Sequence, residues 1–235
     1  MAAEHDHTTL LDLISVAHRD SRSWNPISQE KLDTAGRYVR PGDGQRVLDI
    51  GCGAGSMLCD WVVRWGIHGV GVDVNPDFLD RARQQAAQRG VSDRLRFEQA
   101  DVRTLQIEPG SYDVVTCVGV ADALGGFGRC ADWAASTVRA GGTIAIGDSL
   151  SGAPDEPVRA AAALGLDLIG LVVSGVEDWD EYYSAQWAAA HRWAAENPEH
   201  PDRTWLLDRM RSHQEHYLHT ERGTLNWALF VFAKH

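Results

Sequence analysis

Val47-Leu48-Asp49-Ile50-Gly51-Cys52-Gly53-Ala54-Gly55 decides how this chain folds. Four residues with β-forming, mostly apolar character run into a turn that repeats glycine at every second position. The following Ser56-Met57-Leu58 opens a helical pattern. This is the signature of a buried strand that breaks sharply so that a ligand can approach the backbone where a side chain would block it. A second apolar run, Gly69-Val70-Gly71-Val72, ends on Asp73, 20 residues beyond Gly53. That spacing lets one βαβ unit present a glycine turn and a carboxylate to a single ligand, and a carboxylate accepts two hydrogen bonds from vicinal ribose hydroxyls.

The spacing narrows the nucleotide. A dinucleotide fingerprint wants G-x-G-x-x-G, and Ser56 stands at its last position; no G-x-x-x-x-G-K-[ST] run occurs either. Asp49 inside the motif repels a pyrophosphate and attracts an ammonium group. At these residues the chain resembles the class I S-adenosylmethionine-dependent methyltransferases, whose first motif is a hydrophobic pair, an acid and G-x-G-x-G. The resemblance extends over about residues 40–150. Tyr112-Asp113-Val114-Val115-Thr116-Cys117 is similar to that family's fourth-strand motif, and Arg139-Ala140-Gly141-Gly142-Thr143 to its turn into strand five.

The resemblance implies a role for each matching position. Asp49 and the backbone of Gly51, Cys52 and Gly53 would hold the methionine end of S-adenosylmethionine, and Asp73 the ribose. Val74 and Phe78 would flank the adenine, Asp101 would meet its amino group, and Val102 would offer it a backbone N–H. Cys117 and Val118 would line the same site at the end of the fourth strand. Cys52 is expected there as a small residue, not a nucleophile. The fourth strand continues into Gly119-Val120, without the D/N-P-P-Y run of amide N-methyltransferases or the carboxylate of the metal-dependent catechol-type branch, so no metal is expected. His213, His216 and His219 step by three along a helix and diverge around it, which suits a metal poorly.

Along the rest of the chain, residues 8–40 read as two helical stretches around Trp24-Asn25-Pro26, with Ser28 capping the second. Strands are expected at Arg46–Ile50, Gly69–Asp73, Arg94–Gln99, Tyr112–Val118 and Thr143–Gly147. A helix over Phe127–Arg139 is expected to end at Gly141-Gly142. Asp167–Ser174 suits a sixth strand, helices follow over 178–196 and 201–220, and Thr224–Ala233 closes the chain as a strand. The order implies an α/β fold with a Rossmann-like, doubly wound seven-stranded sheet, mostly parallel with an antiparallel last strand. One domain is expected: an N-terminal helical cap (1–40), a cofactor-binding core (41–150) and a C-terminal part with acceptor-side helices (151–235).

The 235 residues carry 33 acidic against 22 basic side chains, a net charge of -11. Nucleic-acid substrates are disfavoured by that balance. The polar N-terminus shows no signal peptide, no apolar run reaches membrane length, and four cysteines without a C-x-x-C pair suit a reduced, cytoplasmic protein. A small-molecule acceptor is the expected partner. Five of the nine tryptophans lie beyond residue 178, and Trp179, Tyr183, Trp187 and His191 recur at i+4. That stripe either packs on the sheet or lines a pocket. Trp24, Trp179, Tyr182, Tyr183, His213 and His216 are the candidate acceptor contacts. Asp122 and Asp148, just beyond strands four and five, are the candidate bases, since ligands sit outside the carboxyl ends of strands. The competing functions are an NAD-dependent oxidoreductase on a similar sheet and a non-catalytic S-adenosylmethionine-binding module.

Overall fold

The computed structural model describes residues 16–18, 24–150 and 154–235. Of the two N-terminal helical stretches expected, the first lies outside the described residues except for 16–18. Two compact units emerge, one of Ile27–Ser174 with Asn226–His235, the other of Met1–Pro26 with Gly175–Leu225. Each is described by itself, as the sheet unit and the helical unit.

The sheet unit holds seven strands: β1 (Arg46–Ile50), β2 (His68–Asp73), β3 (Leu95–Gln99), β4 (Tyr112–Val118), β5 (Val138–Ser149), β6 (Leu166–Val173) and β7 (Trp227–Lys234). Their order is β3-β2-β1-β4-β5-β7-β6, and only the pairings of β7, with β5 and β6, are antiparallel. The chain winds one way from β1 to β3 and the other way from β4 to β5. Right-handed crossovers therefore put the intervening helices on opposite faces. The reversal falls between β1 and β4, whose residues Asp49 and Thr116 stand in register. A sheet of this kind opens its crevice at that switch point.

Residue alternation builds the two faces. Leu48 and Ile50 of β1, with Val115 and Cys117 of β4, join Phe230 and Phe232 of β7 in a fully buried layer. It is covered by Cys130, Ala131 and Ala134 of α4 (Phe127–Thr137) and Ala161 of α5 (Asp155–Ala162). Their neighbours Val47, Asp49 and Thr116 point to the other face by the period of two. Helices α1 (Gln29–Val39), α2 (Ser56–Trp65) and α3 (Pro76–Gln88) complete the sheet unit. Ser28 caps α1 by accepting the Lys31 N–H, and Asn75 caps α3 by accepting the Asp77 N–H, with Pro76 at the first helical position. The pattern predicted the first of these starts.

The end of α4 differs from the pattern. It stops at Thr137, and β5 begins at Val138 instead of Thr143. The ammonium of Lys234, nearly a hundred residues away, donates to the carbonyls of Ala135 (2.7 Å) and Val138 (2.9 Å). A distant cation thus takes over the capping that Gly141-Gly142 was expected to supply. Helix α5, within a stretch left unassigned in the sequence, begins with Asp155 and Glu156 in its first turn, charges that suit a helix N-terminus.

The helical unit is built on α6 (Val176–Glu196) and α7 (Arg203–His216), the latter continued by a π-turn over Tyr217–Glu221. Gly175 N–H donates to Asp178 at the start of α6 (2.7 Å). A small core forms around Ala190, Leu206 and Met210. No described helix is long and apolar enough to cross a membrane.

One glycine tests the close packing of β4 on β5. A Cβ at Gly142 would stand 2.6 Å from the Asp113 carbonyl oxygen and 2.6 Å from Val138 Cγ2. Backbone cannot yield as a side-chain end does, so Gly142→Ala should lower the urea-unfolding free energy by about 1–3 kcal/mol. An unchanged midpoint and slope would contradict the packing described.

Candidate active site at the sheet's switch point

The carboxyl ends of β1 to β5 bring together most of the expected positions. After Ile50 the backbone turns back on itself, and both the Gly51 and the Cys52 amides donate to the Val72 carbonyl, at 2.8 and 3.0 Å. Their N–H groups are thus spent inside the fold, which leaves carbonyl oxygens and close backbone approach as what this turn offers a ligand. Gly53 has φ +52°, and a Cβ there would meet nothing within 4 Å. Any larger residue would protrude into that open space and strain the turn.

The Gly53 N–H donates to Asp73 Oδ2 at 2.9 Å, and Asn75 N–H donates to Asp73 Oδ1 at 2.9 Å. Asp73 therefore stands oriented at the end of β2, each oxygen keeping a lone-pair direction for a further donor. Asp49 is 3% exposed and accepts one hydrogen bond, from Thr116 Oγ1 at 2.7 Å. Burial pushes its carboxyl up to about 7, with the neighbouring Asp73 charge adding to the rise and Thr116 opposing it. Among the described residues no cation hydrogen-bonds Asp49 or Asp73. A cationic ligand would relieve this site, and an anionic one would be repelled.

The positions expected at the adenine differ in exposure. Val74 is exposed and Phe78 half-buried, with the Arg81 guanidinium 6.0 Å from the Phe78 ring centre. Val102 is buried, and its N–H makes no hydrogen bond to the described residues. Asp101 is held by its neighbour instead of standing open. Arg103 donates to it from the backbone and from Nε, both at 2.9 Å, and keeps the carboxyl down at about 2. An adenine amino group arriving there would share the carboxylate with Arg103.

Further along, Cys117 is fully buried against Cys130 in the core layer, so only its backbone faces the site's strand end. Val118 is half-buried beside Gly147 in the β4–β5 register. Cys52 is buried, and its thiol is pushed up by burial and then by the Asp49 and Asp73 charges, which suits a space-filling role. Asp148 is half-buried and its carboxyl is raised by burial, with the Asp122 charge adding to it. The two candidate bases are thus close enough to feel each other. Thr116 and Asn75 do much of the positioning and were not singled out in the sequence. Thr116 had one visible signal, a hydroxyl inside an otherwise apolar buried strand.

The candidate acceptor contacts all lie in the helical unit. Tyr182 donates to the Trp24 carbonyl (2.9 Å), and His18 stacks on Trp24 with ring centres 4.2 Å apart. Trp179, Tyr183 and Trp187 form a run of rings with Tyr217 and His213, while His191 is exposed. His216 points elsewhere, pairing with Glu221 at 3.2 Å. Among the described residues no three His, Cys, Asp or Glu side chains are grouped to hold a metal.

The buried acid gives a pH test. A carboxyl raised by burial opposes folding wherever it must ionise, so its cost is absent below about pH 4 and complete above its folded value near 7. Asn at this position still accepts from Thr116 and carries no charge. Asp49→Asn should therefore match the parent in urea unfolding at pH 4 and exceed it at pH 8, by up to about 4 kcal/mol. A difference independent of pH would contradict the buried-acid account.

The geometry agrees with what the chain is similar to. A family model described as a methyltransferase domain matches residues 47–142. A SAM-dependent methyltransferase from Geobacter sulfurreducens, crystallised with S-adenosyl-L-homocysteine, superposes with a TM-score of 0.87 at 28% identity, covering 95% of this chain and 98% of that one. Escherichia coli YjhP is 28% identical over 240 residues, 93% of this chain and 96% of that protein. The 27-O-demethylrifamycin SV methyltransferase of Amycolatopsis mediterranei is 31% identical over 139 residues, 59% of this chain and 51% of that protein. With a glycine turn tied to the acid of β2, a second acid buried beside it and these relatives, the chain belongs to the S-adenosylmethionine-dependent methyltransferases.

Proposed function

We propose that this methyltransferase acts on a small molecule in the cytoplasm, and that the residues at the switch point divide the methyl donor among them. The observation that carries the assignment is the Gly53–Asp73 hydrogen bond, which sets an oriented carboxylate beside an open glycine turn. When bound, S-adenosylmethionine supplies a methyl group on a sulfonium, and a neutral thioether leaves. Asp73 takes the two ribose hydroxyls on its remaining lone pairs. Asp49 ionises against the ammonium, exchanging a costly buried charge for a paired one. The carbonyls of the Gly51–Cys52 turn add acceptors at the same end. Val102 gives its free N–H to the adenine, Asp101 shares the amino group with Arg103, and Val74 and Phe78 cover the ring faces.

The chain's remaining task is to position the acceptor and exclude water. Where the attacking atom must lose a proton, Asp148 is the better base. Its raised carboxyl lies nearer neutrality than an ordinary one, which favours proton capture at working pH, and Asp122 sustains that rise through its charge. The net charge of -11 favours a small acceptor over a nucleic acid, and four free, buried cysteines suit a reducing compartment.

Titration calorimetry with S-adenosyl-L-homocysteine tests the assignment of Asp73. Two hydrogen bonds to a charged group contribute about 1.5–3 kcal/mol each, so Asp73→Ala should weaken binding by roughly a hundredfold or more while unfolding stays cooperative. Unchanged affinity would remove Asp73 from the ribose role.

A further inference from the structure

At the amino ends of the parallel strands, opposite the glycine turn, the sheet unit holds an open cavity of about 230 Å³. The chain crosses from β3 to β4 through residues 100–111 without a helix, which leaves part of one sheet face uncovered there. Register decides what lines it. Arg46 of β1 and His68 of β2 stand side by side, and Val70, two residues on, stands beside Arg96 of β3. Side chains in register, or two apart on one strand, share a face. All four therefore lie on the Leu48 face, where Arg46 and His68 precede the buried stretches of their strands and are exposed.

One guanidinium there is held without being paired. The Arg46 side chain lies over the Tyr112 ring, 4.9 Å from its centre, and has no ion pair or hydrogen bond among the described residues beyond its backbone N–H. Tyr112 is 7% exposed, so its ring is a fixed platform. Stacking on it sets the plane of the guanidinium and leaves the N–H edge to fork onto two oxygens. The other guanidiniums are engaged. Arg94 donates to the Gly66 carbonyl and reaches Asp43 at 3.3 Å, and Arg96 pairs with Glu98. Asp113 feels the Arg46 charge, but its oxygens accept from the Arg46 backbone N–H (2.8 Å) and from Arg139 Nε (2.6 Å). The His68 ring lines the cavity as a further donor, and so does Tyr112. An arginine with no acid against it is unexpected in a chain of net charge -11. Asp93 is the one carboxylate on the cavity wall.

We propose that this cavity binds a small monocarboxylate with a flat apolar body, at a site separate from that of the methyl donor. The carboxylate takes the fork of Arg46, with His68 and the Tyr112 hydroxyl beside it. The apolar body rests on Val70 and Leu95. One unengaged guanidinium balances one negative charge. A phosphate carries nearly two charges at neutral pH, and Asp93 on the same wall opposes the second. An amine would meet three guanidiniums. The site needs no assumption about the reaction at the other end of the strands.

Benzoate is the probe, compared with benzylamine, a cation of the same shape, and with inorganic phosphate. In an amide chemical-shift titration of the full nitrogen-labelled chain, benzoate should move the Arg46, His68 and Tyr112 signals saturably and leave Gly53 and Asp73 in place. Arg46→Gln removes the charge and should weaken benzoate about ten- to a hundredfold. Tyr112→Phe keeps the platform, and His68→Ala changes an exposed position where folding is not at risk. Each should weaken benzoate about three- to tenfold, with signals away from the cavity unchanged. Benzylamine or phosphate binding at these amides more tightly than benzoate overturns the proposal. So does benzoate affinity that survives all three substitutions, or a benzoate titration that leaves these amides unmoved.

Discussion

A hydrogen bond from the Gly53 amide to the Asp73 carboxylate, 2.9 Å long, holds the site together. It carries the glycine turn after β1, already tied to β2 through the Val72 carbonyl, onto the acid itself. With it, and with the second amide from Asn75, the carboxylate is fixed in orientation before any ligand arrives. Preorganisation of this kind lowers the ordering cost of binding. It depends on the parallel β1–β2 pairing that sets Ile50 beside Val72, because the same register lets Gly51 and Cys52 donate to the Val72 carbonyl and start the turn.

Asp49 complements that arrangement from below. It is buried next to another acid with only a threonine hydroxyl to stabilise it, and its carboxyl is raised to about 7. A fold that places charge in this way gives up stability for ligand affinity, the usual balance at functional sites. Under the proposed assignment, the cationic end of S-adenosylmethionine would pair with this buried acid. The same two acids explain why the phosphate-bearing dinucleotides were the weaker candidates once the spacing was read.

How much of this the sequence showed depends on distance along the chain. The glycine turn, the acid after β2 and six of the seven strands followed from local patterns to within about four residues, because burial on both faces of a parallel sheet writes continuous apolar runs. The antiparallel β7 was legible too. What stayed hidden were long-range effects: Lys234 ending α4, Thr116 reaching across from β4 to Asp49, and the early start of β5 at Val138. Lys234 and Val138 have no signal in their own neighbourhood, and Thr116 has only its hydroxyl in an otherwise apolar strand. Asp101 shows the opposite case, an acid legible from its local pattern whose next-but-one neighbour, Arg103, engages it in the fold. The aromatic stripe of α6 was visible as a pattern, but the burial of the Trp179 indole N–H without a partner among the described residues is a property of three-dimensional packing alone.

The central claim is that the Gly53–Asp73 pair is the nucleoside end of a methyl-donor site. A crystal structure of the full chain with S-adenosyl-L-homocysteine tests it most directly. Both ribose hydroxyls should sit within hydrogen-bonding distance of the Asp73 carboxylate, with the Gly53 bond intact and the ligand's amino group at the Asp49 end of the turn. A ligand bound with its ribose elsewhere, leaving Asp73 in contact with Gly53 and Asn75 alone, would contradict the account.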